Sequence, residues 1–169
     1  MIIIRDNLPE CISKIVGERI DNYEVVSRSG YCGKWCRIMF AAILSKKYSR
    51  GINGQCSPSK GFYPCYLFSE DLKEVYLAYM IASGNKSENR MRRIVKDIRS
   101  LDIFDGYEVD SSKMLLGKDP HKYRQATICY KKYDTQSFDN AILENDLLRC
   151  LEMHETHGSE VFEKYSRNL

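Results

Sequence analysis

The chain has 169 residues, of which 43% are hydrophobic and 29% are charged. This length fits one domain, residues 1–169, which buries about 70% of its unfolded surface without disulfide bonds. The longest purely apolar run, residues 38–44, is far too short to cross a bilayer, and Arg5 and Asp6 end the apolar N-terminus too early for a signal peptide. We therefore expect a cytoplasmic protein with no membrane partner.

The net charge is only +3, but the charges are unevenly distributed. Residues 46–60 carry basic side chains and no acid, and residues 86–99 carry six basic side chains against two acids. Residues 139–163 carry seven acids against one arginine. This asymmetry fits a basic face for a polyanion, although clustering on a solvated surface explains the charges alone equally well.

Seven cysteines without an export signal predict reduced thiols that pack as small hydrophobic groups. No Cys-x-x-Cys pair occurs. Cys150, His154 and His157 could share one helix face, but His154 also continues an apolar stripe. We therefore expect a core histidine there, and neither a metal nor a cofactor.

Hydrophobic periodicity and turn residues predict alternating helices and strands. In chain order they are a helix at 7–20 with an Asn7–Glu10 capping box, strands at 23–27 and 35–44, a basic loop at 45–60, a hairpin of strands 61–68 and 74–82, a helix at 87–101, irregular chain at 102–124, a strand at 126–133, and a helix from 138 to about 167 with Gly158 as a candidate break. The predicted fold class is α+β, with a mostly antiparallel curved sheet flanked by N-terminal, middle and C-terminal helices.

The most informative segment is Gly-Phe-Tyr-Pro-Cys-Tyr-Leu-Phe at residues 61–68. Because side chains alternate along a strand, Tyr63, Cys65 and Leu67 share one face. Pro64 cannot donate a ladder hydrogen bond, which predicts a sheet edge or a bulge. An aromatic ring and a leucine at an open edge could form a slot for a flat ring, and an ordinary core strand is the competing interpretation.

Three blocks resemble a known family in order and spacing. They are Gly-Lys-Trp-Cys-Arg-Ile-Met-Phe-Ala-Ala-Ile at 33–43, the strand pair within 61–79, and Pro-His-Lys-Tyr-Arg-Gln at 120–125. Across roughly residues 25–150 the chain resembles the N-terminal DNA-binding domain of McrB-type proteins, which direct a modification-dependent, McrBC-type restriction system. The resemblance implies binding to double-stranded DNA and flipping of a modified base into a protein pocket.

Carried onto this chain, the resemblance implies a base pocket formed by Tyr63, Leu67, Tyr123 and Phe40. The turn at 29–34 matches the loop that enters the duplex, with Tyr31 as the wedge. Three departures stand out: Phe40 replaces a tryptophan, Met39 replaces a proline, and Cys32 aligns where the family has the wedge tyrosine. Methylated cytosine is the favoured base, while 5-hydroxymethylcytosine, N4-methylcytosine and N6-methyladenine stay open.

Charge alone, and not the resemblance, suggests which side chains bind phosphates. They are Lys46, Lys47, Arg50, Arg92, Arg93 and Lys96. The full system would also contain a GTPase motor domain and an McrC-type nuclease, but no GxxxxGK[ST] phosphate loop occurs in these residues. We expect a binding module without catalytic residues, either an excised domain or a stand-alone specificity module.

Three alternatives stay open from the residues. The chain could read unmodified DNA sequence or shape without a pocket. It could be an enzyme with a cysteine nucleophile and His121, His154 or His157, although no nucleophile motif surrounds any cysteine. It could also be an interaction module for an acidic partner.

Overall fold

A five-stranded antiparallel sheet forms the centre of the molecule. The structure, a computed structural model, describes residues 8–28, 38–51, 53–84, 86–117, 120–137 and 139–167. The strands are β1 (Tyr23–Arg28), β2 (Phe40–Ser45), β3 (Phe62–Phe68), β4 (Glu74–Ile81) and β5 (Thr127–Asp134). Each strand pairs with the next along the chain, so β3 lies in the middle of the sheet.

Helices lie before, within and after this run of strands. They are α1 (Leu8–Val16), α2 (Glu88–Arg99), α3 (His121–Ala126) and α4 (Asn140–Arg167), with 3-10 turns at Gly17–Asn22 and Ser111–Lys113. The α+β class with N-terminal, middle and C-terminal helices is therefore confirmed. Within the described ranges, no helix has both the length and the apolar character needed to cross a bilayer.

The long helix α4 covers one face of the sheet. Its buried positions recur every three or four residues, as expected for one helix face. The buried carboxylate of Asp146 accepts hydrogen bonds from Lys131 Nζ at 2.6 Å and from Tyr133 Oη at 2.8 Å. Because both donors stand on β5, these bonds fix α4 against that strand.

A buried aromatic cluster continues this contact toward β3. His154 of α4 accepts or donates a hydrogen bond at 2.9 Å between its Nδ1 and Tyr79 Oη. The Phe62 ring lies 5.1 Å from the His154 ring, and the Tyr48 ring lies 4.8 Å from Phe62 between centroids. The β3 face that carries Phe62 is therefore filled by α4, and only the opposite face is left for another role.

Two expectations about single residues were wrong. The strand that carries Pro64 is the central strand and not an edge strand. Proline is tolerated there because β3 pairs with β2 only from Cys65 onward, so at Pro64 the ladder runs to β4 alone. Gly158 does not break α4, which is continuous through it. Helix α3 begins within the predicted irregular stretch and extends to Ala126, the first residue of the predicted strand. The Asn7 cap and residues 29–37 lie outside the described residues.

Gly158→Ala should destabilise the protein by roughly 1 kcal/mol. A Cβ at this position would lie 2.9 Å from Tyr48 Cε2. The Tyr48 ring cannot retreat easily, because it packs on Phe62, His154 and Phe162. The cost of this overpacking should exceed the better helix propensity of alanine. Urea unfolding measures the change.

A Tyr48→Ala background provides the control for this substitution. Without the ring, Gly158→Ala should stabilise the chain, since only the helix propensity remains. Destabilisation of the same size in both backgrounds would show that the Tyr48 contact is not the cause.

His154 should make stability fall as the pH falls from about 6.5 to about 4. Burial, and secondarily the Lys47 charge, lowers the pKa of His154 from 6.5 to about 4. In this interval the unfolded chain binds a proton that the folded chain excludes, so the free energy of unfolding drops by at most about 3 kcal/mol. Urea unfolding across this interval should give a flatter pH profile for His154→Phe than for wild type. A His157→Gln variant should follow wild type, and equal slopes for His154→Phe and wild type would refute the assignment.

Candidate nucleic-acid interface

A cavity of about 210 Å³ opens on the sheet face opposite α4. Its floor is formed by Phe40 of β2, Tyr63 and Cys65 of β3, and Met80 of β4. Strand register brings these side chains together, because Tyr63 lies opposite Met80 and side chains two residues apart share a face. The cavity thus has an aromatic and aliphatic floor on a rigid part of the fold.

Helix α3 forms one wall of this cavity. Lys122, Tyr123 and Ala126 line it. The helix runs directly into β5, whose first residue, Thr127, lies opposite Met80 at a shift in the β4–β5 register. Such irregularities re-aim the chain and often lie next to binding sites. The shift and the short helix together place the half-buried Tyr123 beside the sheet floor.

The Tyr63 side chain joins the floor to the long basic loop. It is only 6% exposed, and its hydroxyl donates a 2.7 Å hydrogen bond to the Pro58 carbonyl oxygen. Burial first, with smaller effects from neighbouring Cys65 and Tyr123, raises the pKa of Tyr63 well above its usual range. The phenol therefore stays neutral and holds Pro58 and Ser59 at the rim of the cavity.

Leu67 lies elsewhere on the same strand face. It is fully buried, it lies opposite Phe40, and it does not line the cavity. Leu67 lies four positions after Tyr63 along the strand, a distance of roughly 13 Å. Met80 occupies the aliphatic position beside Tyr63 instead. The hairpin pairing that the sequence predicts is the signal that could have identified Met80.

The candidate wedge residues Tyr31 and Cys32 lie outside the described residues, so their role stays a prediction.

The predicted phosphate-binding residues divide into separate groups. Lys46 Nζ donates to the Asp21 carbonyl oxygen at 2.7 Å, and Lys47 Nζ lies 3.5 Å from Ser159 Oγ of α4. Lys47 therefore lies near the helix that covers the opposite sheet face. Arg50 is exposed in the long loop and forms a β-bridge with Cys56.

The three remaining candidates, Arg92, Arg93 and Lys96, are exposed on α2. Arg92 and Lys96 line a groove of about 670 Å³ between α2 and α3. Arg99 and Arg124 line it too, and neither is among the predicted phosphate-binding residues. The charge pattern had placed Arg99 in the basic cluster, but only the structure brings Arg124 beside α2.

Burial raises the pKa of four of the described thiols, those of Cys56, Cys65, Cys129 and Cys150. Burial raises the pKa of Cys150 to about 12 and raises that of Cys65 well above its usual range. A reactive cysteine has a lowered pKa and solvent access. Among the residues that the structure describes, no three His, Cys, Asp or Glu side chains are arranged to hold a metal ion.

Comparison with protein families identifies the chain. The family described as "MrcB-like, N-terminal domain" matches residues 1–158. The chain belongs to this family. The match supports a McrB-type DNA-binding domain, a binding module of a restriction system, and it spans the cavity, the groove and most of α4. No curated protein matches the chain significantly.

Proposed function

We propose that this McrB-type domain reads a modified base, with methylated cytosine favoured, by holding it flipped out of duplex DNA in the cavity beside Tyr63. One observation carries the proposal. Phe40, Tyr63 and Tyr123 are far apart in sequence, and all three line one cavity that opens to the surface. The family match makes DNA the expected ligand.

The size of the cavity suits a single base. Its volume of about 210 Å³ equals that of roughly seven water molecules in the liquid. That volume leaves room for one flat base ring. The size of the cavity therefore supports the proposal that it holds a single flipped base.

The lining also suits the energetics of flipping. Extrusion costs a few kcal/mol of stacking and pairing, and stacking on aromatic side chains recovers about 1–3 kcal/mol per base. A 5-methyl group that reaches apolar surface adds about 0.8 kcal/mol. Met80 and Cys65 offer such surface on the floor. A hydroxymethyl group there would need a partner for its hydroxyl, because an unpaired buried hydroxyl costs about 1–3 kcal/mol.

Charged side chains stand at the mouth of the cavity. Arg28 and Lys122 line it and are exposed. Cations at this position suit the phosphates beside a flipped nucleotide, since phosphate contacts fix the register of a protein on DNA. Tyr31 and Cys32 are proposed to fill the gap in the duplex. In the complete system, the partners would be a GTPase motor domain and an McrC-type nuclease.

One observation favours a second function, the reading of DNA without a flipped base. The basic groove between α2 and α3 is about three times as large as the cavity, at about 670 Å³ against 210 Å³. Backbone contacts in that groove would support affinity for any duplex. Equal affinity of the wild-type protein for modified and unmodified duplexes would favour this function.

Tyr123→Ala should reduce the preference for a modified duplex by roughly 1–3 kcal/mol and leave affinity for the unmodified duplex nearly unchanged. The ring is half-buried on a short helix, so its removal should spare the fold better than changes at the buried Tyr63. Fluorescence anisotropy with matched duplexes that differ in one 5-methyl group measures both affinities.

Phe162→Ala is the control for this experiment. Phe162 is an aromatic residue of α4, 40% exposed, on the helix that covers the other sheet face. Its removal should leave the preference unchanged. A Tyr123→Ala protein that unfolds like wild type in urea and retains the full preference would contradict the base-pocket role.

A further inference from the structure

The groove between α2 and α3 contains a pair of arginines that the protein itself anchors. Arg99 Nε donates to the Ile128 carbonyl oxygen at 2.7 Å, and Arg99 Nη2 donates to the Thr127 carbonyl oxygen at 3.1 Å. From α3, Arg124 donates through Nε and Nη2 to the Met114 carbonyl oxygen. Both guanidinium groups are thus fixed by backbone oxygens and not by carboxylates.

This mode of anchoring leaves charge and donors available. A guanidinium carries five N–H groups, and two are used at each arginine, so about three remain on each. Carbonyl oxygens do not neutralise the positive charge. A fixed, unneutralised guanidinium loses little conformational entropy when it binds a phosphate through two parallel hydrogen bonds.

The surroundings of the pair strengthen its positive field. Four cations line the groove, namely Arg92, Lys96, Arg99 and Arg124, against the single carboxylate of Asp110. That carboxylate accepts hydrogen bonds from the Ser112 amide and hydroxyl, and Lys113 lies 3.9 Å away. Glu88 lies near the end of the groove, where it contacts His121 at 2.7 Å and Arg92 at 3.9 Å. Among the described residues, no carboxylate lies within ion-pair distance of the anchored pair. Asp110 interacts with Arg99 only at longer range, and Glu70 and Asp71 line a separate cavity that Arg124 also borders.

Helix α3 separates the groove from the base cavity. His121, Arg124 and Gln125 face the groove, whereas Lys122, Tyr123 and Ala126 line the cavity. We propose that Arg99 and Arg124 form a preorganised clamp for the DNA backbone, binding a phosphodiester of the strand that runs past the cavity, with Arg92 and Lys96 as flexible outer contacts. The clamp rests on the proposed function only in taking DNA as its ligand, and it does not require a flipped base.

The test measures the salt dependence of DNA binding by the full chain. Arg124→Gln and Lys96→Gln should each lower the slope of log K against log salt by about 1. Arg124→Gln should weaken binding roughly tenfold, which corresponds to one lost charge-assisted hydrogen bond. The losses should be equal for methylated and unmodified duplexes, because backbone contacts carry no base information. Arg149→Gln, at an exposed arginine of α4, is the matched control and should leave the slope unchanged.

The outcomes separate this proposal from the base pocket. If wild type shows no preference for the methylated duplex but both variants lower the slope, the clamp stands and the base pocket fails. If both variants unfold in urea like wild type and keep its slope, the clamp is refuted.

A further titration measures GTP binding in the absence of DNA. GTP binding that Arg124→Gln abolishes, with an unchanged DNA slope, would assign the groove to free polyphosphate and also refute the clamp.

Discussion

The contact between α4 and the sheet determines where a ligand can bind. The carboxylate of Asp146 bonds to two β5 side chains, and His154 bonds to Tyr79, so the long helix is fixed across one face of the central strands. Because successive side chains of a strand point to opposite faces, Phe62 of β3 packs toward α4 and Tyr63 points away from it. The base-pocket proposal uses the second face, where Tyr63 lines the cavity.

The two candidate sites share a construction. Each places side chains from α3 against a rigid partner, the sheet floor in one case and α2 in the other. The short helix leads without a loop into β5, so its position is tied to the sheet register. A flipped base and the phosphate beside it would therefore be bound by opposite sides of a single element. Such an arrangement would hold the two at a fixed separation.

Much of the fold could be predicted from local pattern. Strand periodicity and turn residues gave the five strands to within a few residues, because the segments are short, apolar and bounded by polar turns. Pro64 suggested an edge strand because proline cannot donate a hydrogen bond to a neighbouring strand. This restriction applies only at Pro64 itself, and the point where the β2 pairing ends cannot be read from the β3 sequence alone. Gly158 suggested a helix break, but glycine is needed there because the Tyr48 ring packs against the helix and leaves no room for a side chain. Such a tertiary contact cannot be read from the local sequence.

The residues that line the cavity could be anticipated from the sequence only where strand alternation or a block resembling the family pointed to them. Tyr63, Phe40 and Tyr123 line one cavity, whereas Leu67 does not, because it lies four positions, or about 13 Å, from Tyr63 along the strand. The anchored arginines depend on carbonyl groups distant in sequence, so charge patterning could not single them out.

The central claim is that a base leaves the duplex and enters the cavity beside Tyr63. The most direct measurement uses a duplex with a fluorescent base opposite a single 5-methylcytosine, titrated with the protein until binding saturates. The account predicts a rise in emission as the partner base loses its stacking and pairing, and a much smaller rise with the unmodified duplex. Saturated binding with no change in emission on either duplex would contradict it.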